Sequence, residues 1–271
     1  MSVCFFRSKV VLTNIQRITG MAIIESELFL TNEMCPTVQV YNSVEFNRLR
    51  CWSVSRLTKP EDMVASLSPK CLYIFNAIGE GKIYQVTING LTISSWFIGS
   101  AQVRLSVAPD SNIVVTYLGE MRLKEYRSTV KDRLKQQLSL QGSSTHTVKL
   151  KTGKFVVSRG TSIDNVFEID AHGKDINSFK GNARSTSERL KSPEQVAVDK
   201  HGSVFVLDRG NRRVVLLDSK LVFQKELLSA IHGLRDPRAM VLDDTTNRLF
   251  VSDYDSAEYI WQIFVTDIAF L

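Results

Sequence analysis

The chain has few of the residues that hold metals or form staples: four histidines and four cysteines among 271 residues, with no Cys-x-x-Cys pair. Cys4, Cys35, Cys51 and Cys71 are separated by 31, 16 and 20 residues, a spacing that suits neither a zinc knuckle nor a redox dithiol. They read as free, mostly buried thiols, which favours a reducing compartment. No run approaches the roughly 20 apolar residues of a membrane span. The opening Met1-Ser2-Val3-Cys4-Phe5-Phe6-Arg7-Ser8-Lys9 lacks the apolar centre of a signal peptide. A cytoplasmic, monomeric protein without membrane contact, metal or cofactor is expected. Charge is only mildly one-sided: 34 Lys and Arg against 28 Asp and Glu give a net +6 and a pI near 9.1, a slight bias toward anionic partners.

What is present is a repeat. Six apolar triads, Leu28-Phe29-Leu30, Leu72-Tyr73-Ile74, Ile113-Val114-Val115, Phe155-Val156-Val157, Val204-Phe205-Val206 and Leu249-Phe250-Val251, follow one another at intervals of 44, 41, 42, 49 and 45 residues. Short apolar runs at such a period are the signature of propeller blades. The unit is clearest from Leu190 to Leu228, where four β-rich runs alternate with the turns Lys200-His201-Gly202-Ser203, Asp208-Arg209-Gly210-Asn211 and Asp218-Ser219-Lys220. Its opening recurs at Pro60-Glu61-Asp62-Met63 and Pro237-Arg238-Ala239-Met240, and its second hairpin at Asn89-Gly90 and His172-Gly173. Trp52, Trp96 and Phe179 close units and suit wedge packing between blades.

The expected fold is all-β, a single domain of residues 1–271. It is a six-bladed propeller of four-stranded antiparallel blades near 16–54, 57–97, 99–140, 143–181, 190–230 and 233–271. The last blade has only three strands of its own, around Met240, Leu249 and Ile260. A spare strand at 5–13 is expected to fill the fourth place and close the ring, removing an open edge. The polar stretches Lys131–Gln137 and Gly181–Arg189 read as solvated connections, where a rigid scaffold puts function. The second accounts for the longest interval and marks the first place to look for it.

Pro193-Glu194-Gln195-Val196-Ala197-Val198-Asp199, followed by Gly202-Ser203-Val204-Phe205-Val206-Leu207-Asp208 and Asn211-Arg212-Arg213-Val214, resembles the NHL repeat. The likeness is specific in that blade. Elsewhere it is degenerate: Phe250-Val251-Ser252-Asp253 keeps the Asp without a following Asn-x-Arg, and Phe155-Val156-Val157-Ser158 keeps neither. The resemblance implies a six-bladed NHL propeller, like those that end tripartite-motif ubiquitin ligases and those that stand alone, with Asp208 and Arg213 as framework residues pairing within their blade. Neither a Cys/His cluster nor a heptad run is present to carry ligase activity.

Catalytic propellers gather ligands where the innermost strands begin. Here those positions read Asp62, Arg104, His146, Gln195 and Arg238. Calcium would want several carboxylates and zinc several histidines, and two arginines would repel either ion. A channel plugged by salt bridges is expected, with catalytic residues: none and metal ligands: none. His146, preceded by Ser143-Ser144-Thr145, reads as a framework histidine, while His172, His201 and His232 lie in turns facing solvent.

The leading expectation is a non-enzymatic scaffold presenting loops to a protein partner, the alternative is binding of single-stranded or hairpin RNA, and a metal-dependent hydrolase or lyase is the second alternative. Arg122, Lys124, Arg127, Lys131, Arg133 and Lys135, with Arg184, Arg189 and Lys191 in the long loop, are the candidate contacts for either partner. Arg122 and Lys124, two apart in a strand, share a face. Tyr126 alone among aromatic residues is interleaved with these cations, fewer than a base-stacking platform would prefer.

Overall fold

In a computed structural model that describes residues 8–33, 35–78, 81–99, 101–128, 134–160, 163–179 and 189–268, period-two alternation and turn residues divide these described residues into 24 strands. One strand, β1 (Ser8–Ile15), precedes the blades. Blade 1 is β2 (Ile18–Ile24), β3 (Glu27–Asn32), β4 (Cys35–Asn42) and β5 (Arg48–Ser53); blade 2 is β6 (Pro60–Leu67), β7 (Lys70–Asn76), β8 (Lys82–Val86) and β9 (Thr92–Phe97). Blade 3 comprises β10 (Val103–Val107), β11 (Ile113–Tyr117), β12 (Arg122–Tyr126) and β13 (Leu134–Ser139). Blade 4 comprises β14 (His146–Lys149), β15 (Phe155–Arg159), β16 (Asn165–Ile169) and β17 (Asp175–Ser178). Blade 5 follows as β18 (Pro193–Val198), β19 (Val204–Asp208), β20 (Arg213–Leu217) and β21 (Phe223–Leu228). Blade 6 holds β22 (Pro237–Asp243), β23 (Arg248–Asp255) and β24 (Ile260–Asp267), with β1 as its outermost strand.

Every sheet is an antiparallel meander, and the first strands β2, β6, β10, β14, β18 and β22 contact one another in a closed cycle around the channel. The end at which these inner strands begin is called the upper face below, and the opposite end the lower. β1 closes the ring by pairing with β24 from Ser8 opposite Thr266 to Ile15 opposite Trp261. The closing strand therefore reaches two residues beyond the expected 13, and residues 5–7 of the expected span lie outside the described residues.

The triads are the second strands, and their side chains are buried on both faces: Leu28, Phe29, Leu72, Tyr73, Ile74, Ile113, Val114, Val115 and Phe205 are wholly inaccessible. A strand sandwiched between two neighbouring blades has no solvated face, so it is written as a continuous apolar run. Outer strands, exposed on one side, are mixed in character. That is why Leu134–Gln137, read above as part of a solvated connection, belongs instead to the outer strand β13, whose burial is confined to Leu138. The thiols also differ from expectation: Cys71 is buried, Cys35 half-buried and Cys51 exposed on the outer strand β5, with none of these three in a disulfide.

Blades interlock through aromatic residues on the outer strands. Trp96 meets Tyr73 of its own blade edge-on at 6.0 Å and Tyr126 of blade 3 at 6.3 Å. Trp52 of blade 1 lies over Gly90 in the hairpin of blade 2, where φ is +87° and an added Cβ would stand 2.6 Å from the indole. Phe179 packs with Val196, Val206 and Val215 of blade 5. Among the described residues no helix is long and apolar enough to cross a membrane.

Candidate functional site

The upper mouth of the channel is built by a local irregularity. In blades 1, 2, 5 and 6 the inner strand opens with a bulge, between Ile18 and Gly20, Pro60 and Asp62, Pro193 and Gln195, and Pro237 and Ala239. A bulge adds one residue and re-aims its side chain. The added residues, Thr19, Glu61, Glu194 and Arg238, all line a cavity of about 520 Å³ together with Arg17, Glu33 and Arg104. Tyr254 and Trp261, their rings 5.3 Å apart, form an aromatic part of its wall.

The carboxylates of this mouth are paired. Glu33 binds Arg17, Glu61 binds Lys59 at 2.9 Å, and Glu194 binds Arg209 at 2.5 Å. Arg209 also holds Asp236 at 2.7 Å, and Asp236 in turn pairs with Arg238. Arg104 donates to the carbonyl oxygen of Glu61 at 3.1 Å.

One residue further along, the side chains turn from the channel to the next blade. Asp62 accepts the Leu105 N–H on Oδ2 at 2.7 Å and the Met63 N–H on Oδ1 at 2.9 Å. Gln195 Oε1 accepts the Met240 N–H at 2.7 Å. His146 bridges two neighbours: Nε2–H donates to the Leu105 carbonyl at 3.1 Å, and Nδ1 faces the Val196 N–H at 3.5 Å. That pairing assigns the neutral Nε2–H tautomer. Burial drives the imidazole down to about 4, with Leu105 opposing, while burial pushes the Asp62 carboxyl up to about 6 against the opposing pull of Arg104. The neighbouring Thr145 hydroxyl is used in the framework, on the Pro193 carbonyl of blade 5 at 2.8 Å.

Of the five residues expected at the channel, Arg104 and Arg238 line the mouth. Asp62, His146 and Gln195 instead tie blades 2 through 6 to one another. His172, His201 and His232 are exposed. Among the described residues, no three of His, Cys, Asp and Glu come together as a metal site. Asp208 and Arg213 lie side by side, Oδ2 to Nε, at 2.7 Å in blade 5.

Among the described basic residues, Arg122 and Lys124 do not share a surface with Lys135. Arg122 and Lys124 share a face and flank the Tyr117 ring, at 4.2 and 5.3 Å from its centre, but that ring is fully buried and cannot stack a base. Lys135 lies toward blade 4, held by Asp110 at 2.7 Å and by Glu125 at 2.9 Å. Arg127 and Lys191 are exposed, and the Lys191 N–H is spent on Asp208. Arg189 is exposed as well, and its carbonyl accepts from Asn211 and Arg213. Lys131, Arg133, Arg184 and most of the long loop at 181–188 lie outside the described residues.

Glu125 is the charged residue that sequence reasoning passed over. It is wholly buried between blades 3 and 4, where Lys149 at 2.8 Å, Lys135, Asn112 and Gln136 surround it. Burial raises its pKa and these donors lower it, with a net lowering. The signal was its parity: it follows Leu123 by two in β12, on the buried side of the strand.

No protein-family model matches the chain, and no curated protein matches its sequence. Among solved structures it is similar to a luciferin-regenerating enzyme, with 11% identity, a TM-score of 0.69, and coverage of 97% of this chain and 96% of that one. It is also similar to a catalytically inactive virginiamycin B lyase from Staphylococcus aureus with quinupristin, at 10% identity and TM-score 0.66, over 98% of this chain and 100% of that one. A protein of unknown function from Bacteroides caccae shares 12% identity at TM-score 0.60, over 79% and 82% of the two chains. At such identities the likeness is one of fold, and on that evidence together with its own strand order the chain is a six-bladed β-propeller.

Proposed function

We propose that the chain is a non-enzymatic interaction scaffold of NHL type, presenting loops of its upper face to a protein partner in the cytoplasm. The observation that carries this reading is the placement of apolar side chains. Ile231 and Tyr259, at 89% and 81% the most exposed of the described large hydrophobic residues, sit on two upper-face loops of blade 6 and its approach. Exposed apolar residues that a rigid scaffold presents on one face are what a partner buries. The channel mouth on the same face has its carboxylates committed to ion pairs. The Asp208–Arg213 pair and the Asp253 carboxylate at the matching position of blade 6 support the NHL reading. No residue is assigned a catalytic role.

The test is affinity capture after ultraviolet crosslinking, with proteins and RNA identified in the same sample, for the wild-type chain and an Ile231→Ser, Tyr259→Ser variant. A reproducible protein partner lost in the variant is expected. Crosslinked RNA with no reproducible protein would overturn the reading in favour of the RNA alternative.

A further inference from the structure

The arginine that enters the upper mouth from blade 3 differs from the other cations around it. Arg17 has Glu33, Lys59 has Glu61 at 2.9 Å, Arg209 has Glu194, and Arg238 has Asp236. Arg104 has no carboxylate within ion-pair distance among the described residues, and its Nη1 donates to the Glu61 carbonyl oxygen at 3.1 Å. Asp62, close enough to feel its charge, has spent one oxygen on the Leu105 N–H and the other on the Met63 N–H.

A guanidinium carries five N–H donors in a planar fork, and the edge shared by Nε and Nη2 presents two of them in parallel, the spacing of a carboxylate. In Arg104 that edge is unused. Neither nitrogen makes a hydrogen bond among the described residues, and neither is sealed from solvent as the Nε of Arg238 is. The side chain is half-buried and belongs to the wall of the upper cavity. Its Nη1 bond fixes the plane of the fork before a ligand arrives, which removes part of the ordering cost of binding.

The rest of the wall sets the size and character of what the fork can hold. A volume of about 520 Å³ lies within the range of small-molecule sites, about 300–1,000 Å³. The carboxylates Glu33, Glu61 and Glu194 are each neutralised by a cation, so they oppose an anion on Arg104 only weakly. Blade 6 stands opposite blade 3 in the ring, and its contribution to the same cavity is the half-buried pair Tyr254 and Trp261. Leu118 and Ala239 add apolar surface. A cavity cationic on one side and aromatic on the other fits an elongated anion with an aromatic end.

We propose that the upper mouth binds an aromatic monocarboxylate with a flexible chain between ring and acid, its two oxygens accepting from Nε–H and Nη2–H of Arg104 and its ring lying against Tyr254 and Trp261. Ile231 and Tyr259 do not line this cavity, so the site stands independently of the partner surface argued above.

The test is calorimetric titration of the full chain at neutral pH with four probes: ω-phenylhexanoate, ω-phenylhexanol, ω-phenylhexylammonium and hexanoate. The aromatic acid should bind, its alcohol should bind about tenfold or more weakly, as loss of a charge-assisted hydrogen bond implies, and the ammonium should not bind. Hexanoate, which lacks the ring, should also bind about tenfold or more weakly. Arg104→Gln keeps an N–H donor for the Glu61 carbonyl and should weaken the aromatic acid about tenfold while leaving its alcohol unchanged. Trp261→Leu should weaken acid and alcohol together. Equal affinity for acid and alcohol, hexanoate binding as tightly as the aromatic acid, binding of the ammonium, no binding of the acid, or an acid affinity unchanged in either variant would overturn the assignment. If one variant fails to fold, the other still places the site, and the probe comparison on the wild-type chain still decides the chemistry.

Discussion

The backbone of Leu105 is held from both sides, its N–H by Asp62 of blade 2 and its carbonyl by His146 of blade 4. The two side chains titrate in opposite senses. His146 has a folded value of about 4 against 6.5. Between those values the unfolded chain takes up a proton the folded one refuses, so stability falls as pH falls from 6.5 to 4. Asp62, at about 6 against 3.8, does the reverse: the folded chain protonates first, so stability rises as pH falls from 6 to 3.8. Each effect amounts to about 3 kcal/mol at full extent, and in the wild-type chain they largely cancel. Chemical denaturation between pH 4 and 7 should therefore show Asp62→Asn losing stability on acidification relative to wild type, and His146→Gln gaining it. Parallel curves for the three proteins would refute this account. None of it was legible in the sequence, which placed both residues correctly at the starts of inner strands. Their partners are backbone atoms of other blades, about 40 to 50 positions away, and backbone carries no residue-type signal.

A post at or near the end of the second strand recurs from blade to blade, and in blades 2, 5 and 6 it clamps the loop entering its own blade. Asn76 Oδ1 accepts the N–H groups of Thr58 and Lys59, Asp208 that of Lys191, and Asp253 those of Arg235 and Asp236. In blade 3 the same post is held by Tyr117, whose hydroxyl donates to the Ile98 carbonyl at 2.9 Å. In blade 4 it is Arg159, nearly inaccessible and bound to both oxygens of Asp175 at 2.7 Å. The apparent degeneracy of the repeat is thus a change of chemistry at a fixed post. Asp208→Ala would remove the nearest carboxylate from buried Arg213, which keeps the Arg189 carbonyl at 2.8 Å and Glu226 at 3.4 Å, and should cost about 3 kcal/mol in urea unfolding. Asp208→Ala with unchanged stability would deny the clamp. Strand geometry sets a second sharp requirement at Gly20, where an added Cβ would stand 2.6 Å from the Met63 nitrogen of the next blade. Gly20→Ala should destabilise by about 1–3 kcal/mol, as overpacking against backbone does; a neutral result would mean that blades 1 and 2 can separate. The triads were readable because composition alone determines them. Asn89-Gly90 and His172-Gly173 were readable as hairpins from turn chemistry, but they join the third and fourth strands of blades 2 and 4 and are the third hairpins, not the second. The strand β13 was not readable, because Leu134-Lys135-Gln136-Gln137 at an exposed edge is written in the same alphabet as a loop.

At the scale of the whole molecule, the ring is held shut by one antiparallel pairing, β1 on β24. A chain starting at residue 16 would expose the edge of β24, and open edges pair with other chains. It should therefore show a lower thermal midpoint and concentration-dependent association in light scattering, both reversed by a peptide of residues 8–15. A truncated chain that stays monomeric with an unchanged midpoint would show that blade 6 needs only three strands. Charge at this scale also sets a test of the RNA alternative. If about six phosphates were engaged on a single strand, log affinity would fall against log salt with a slope near −4. The split of Arg122 and Lys124 from Lys135 leads us to expect a much shallower slope or no binding. The ring closure also imposes an order in time. Translation makes Ser8–Ile15 before any blade and its partner Ile260–Asp267 after all of them, so at ribosomal speeds of roughly 5–20 residues per second the first strand waits about 12–50 seconds for its mate. The segment that completes the protein is then the one the cell must keep unpaired longest.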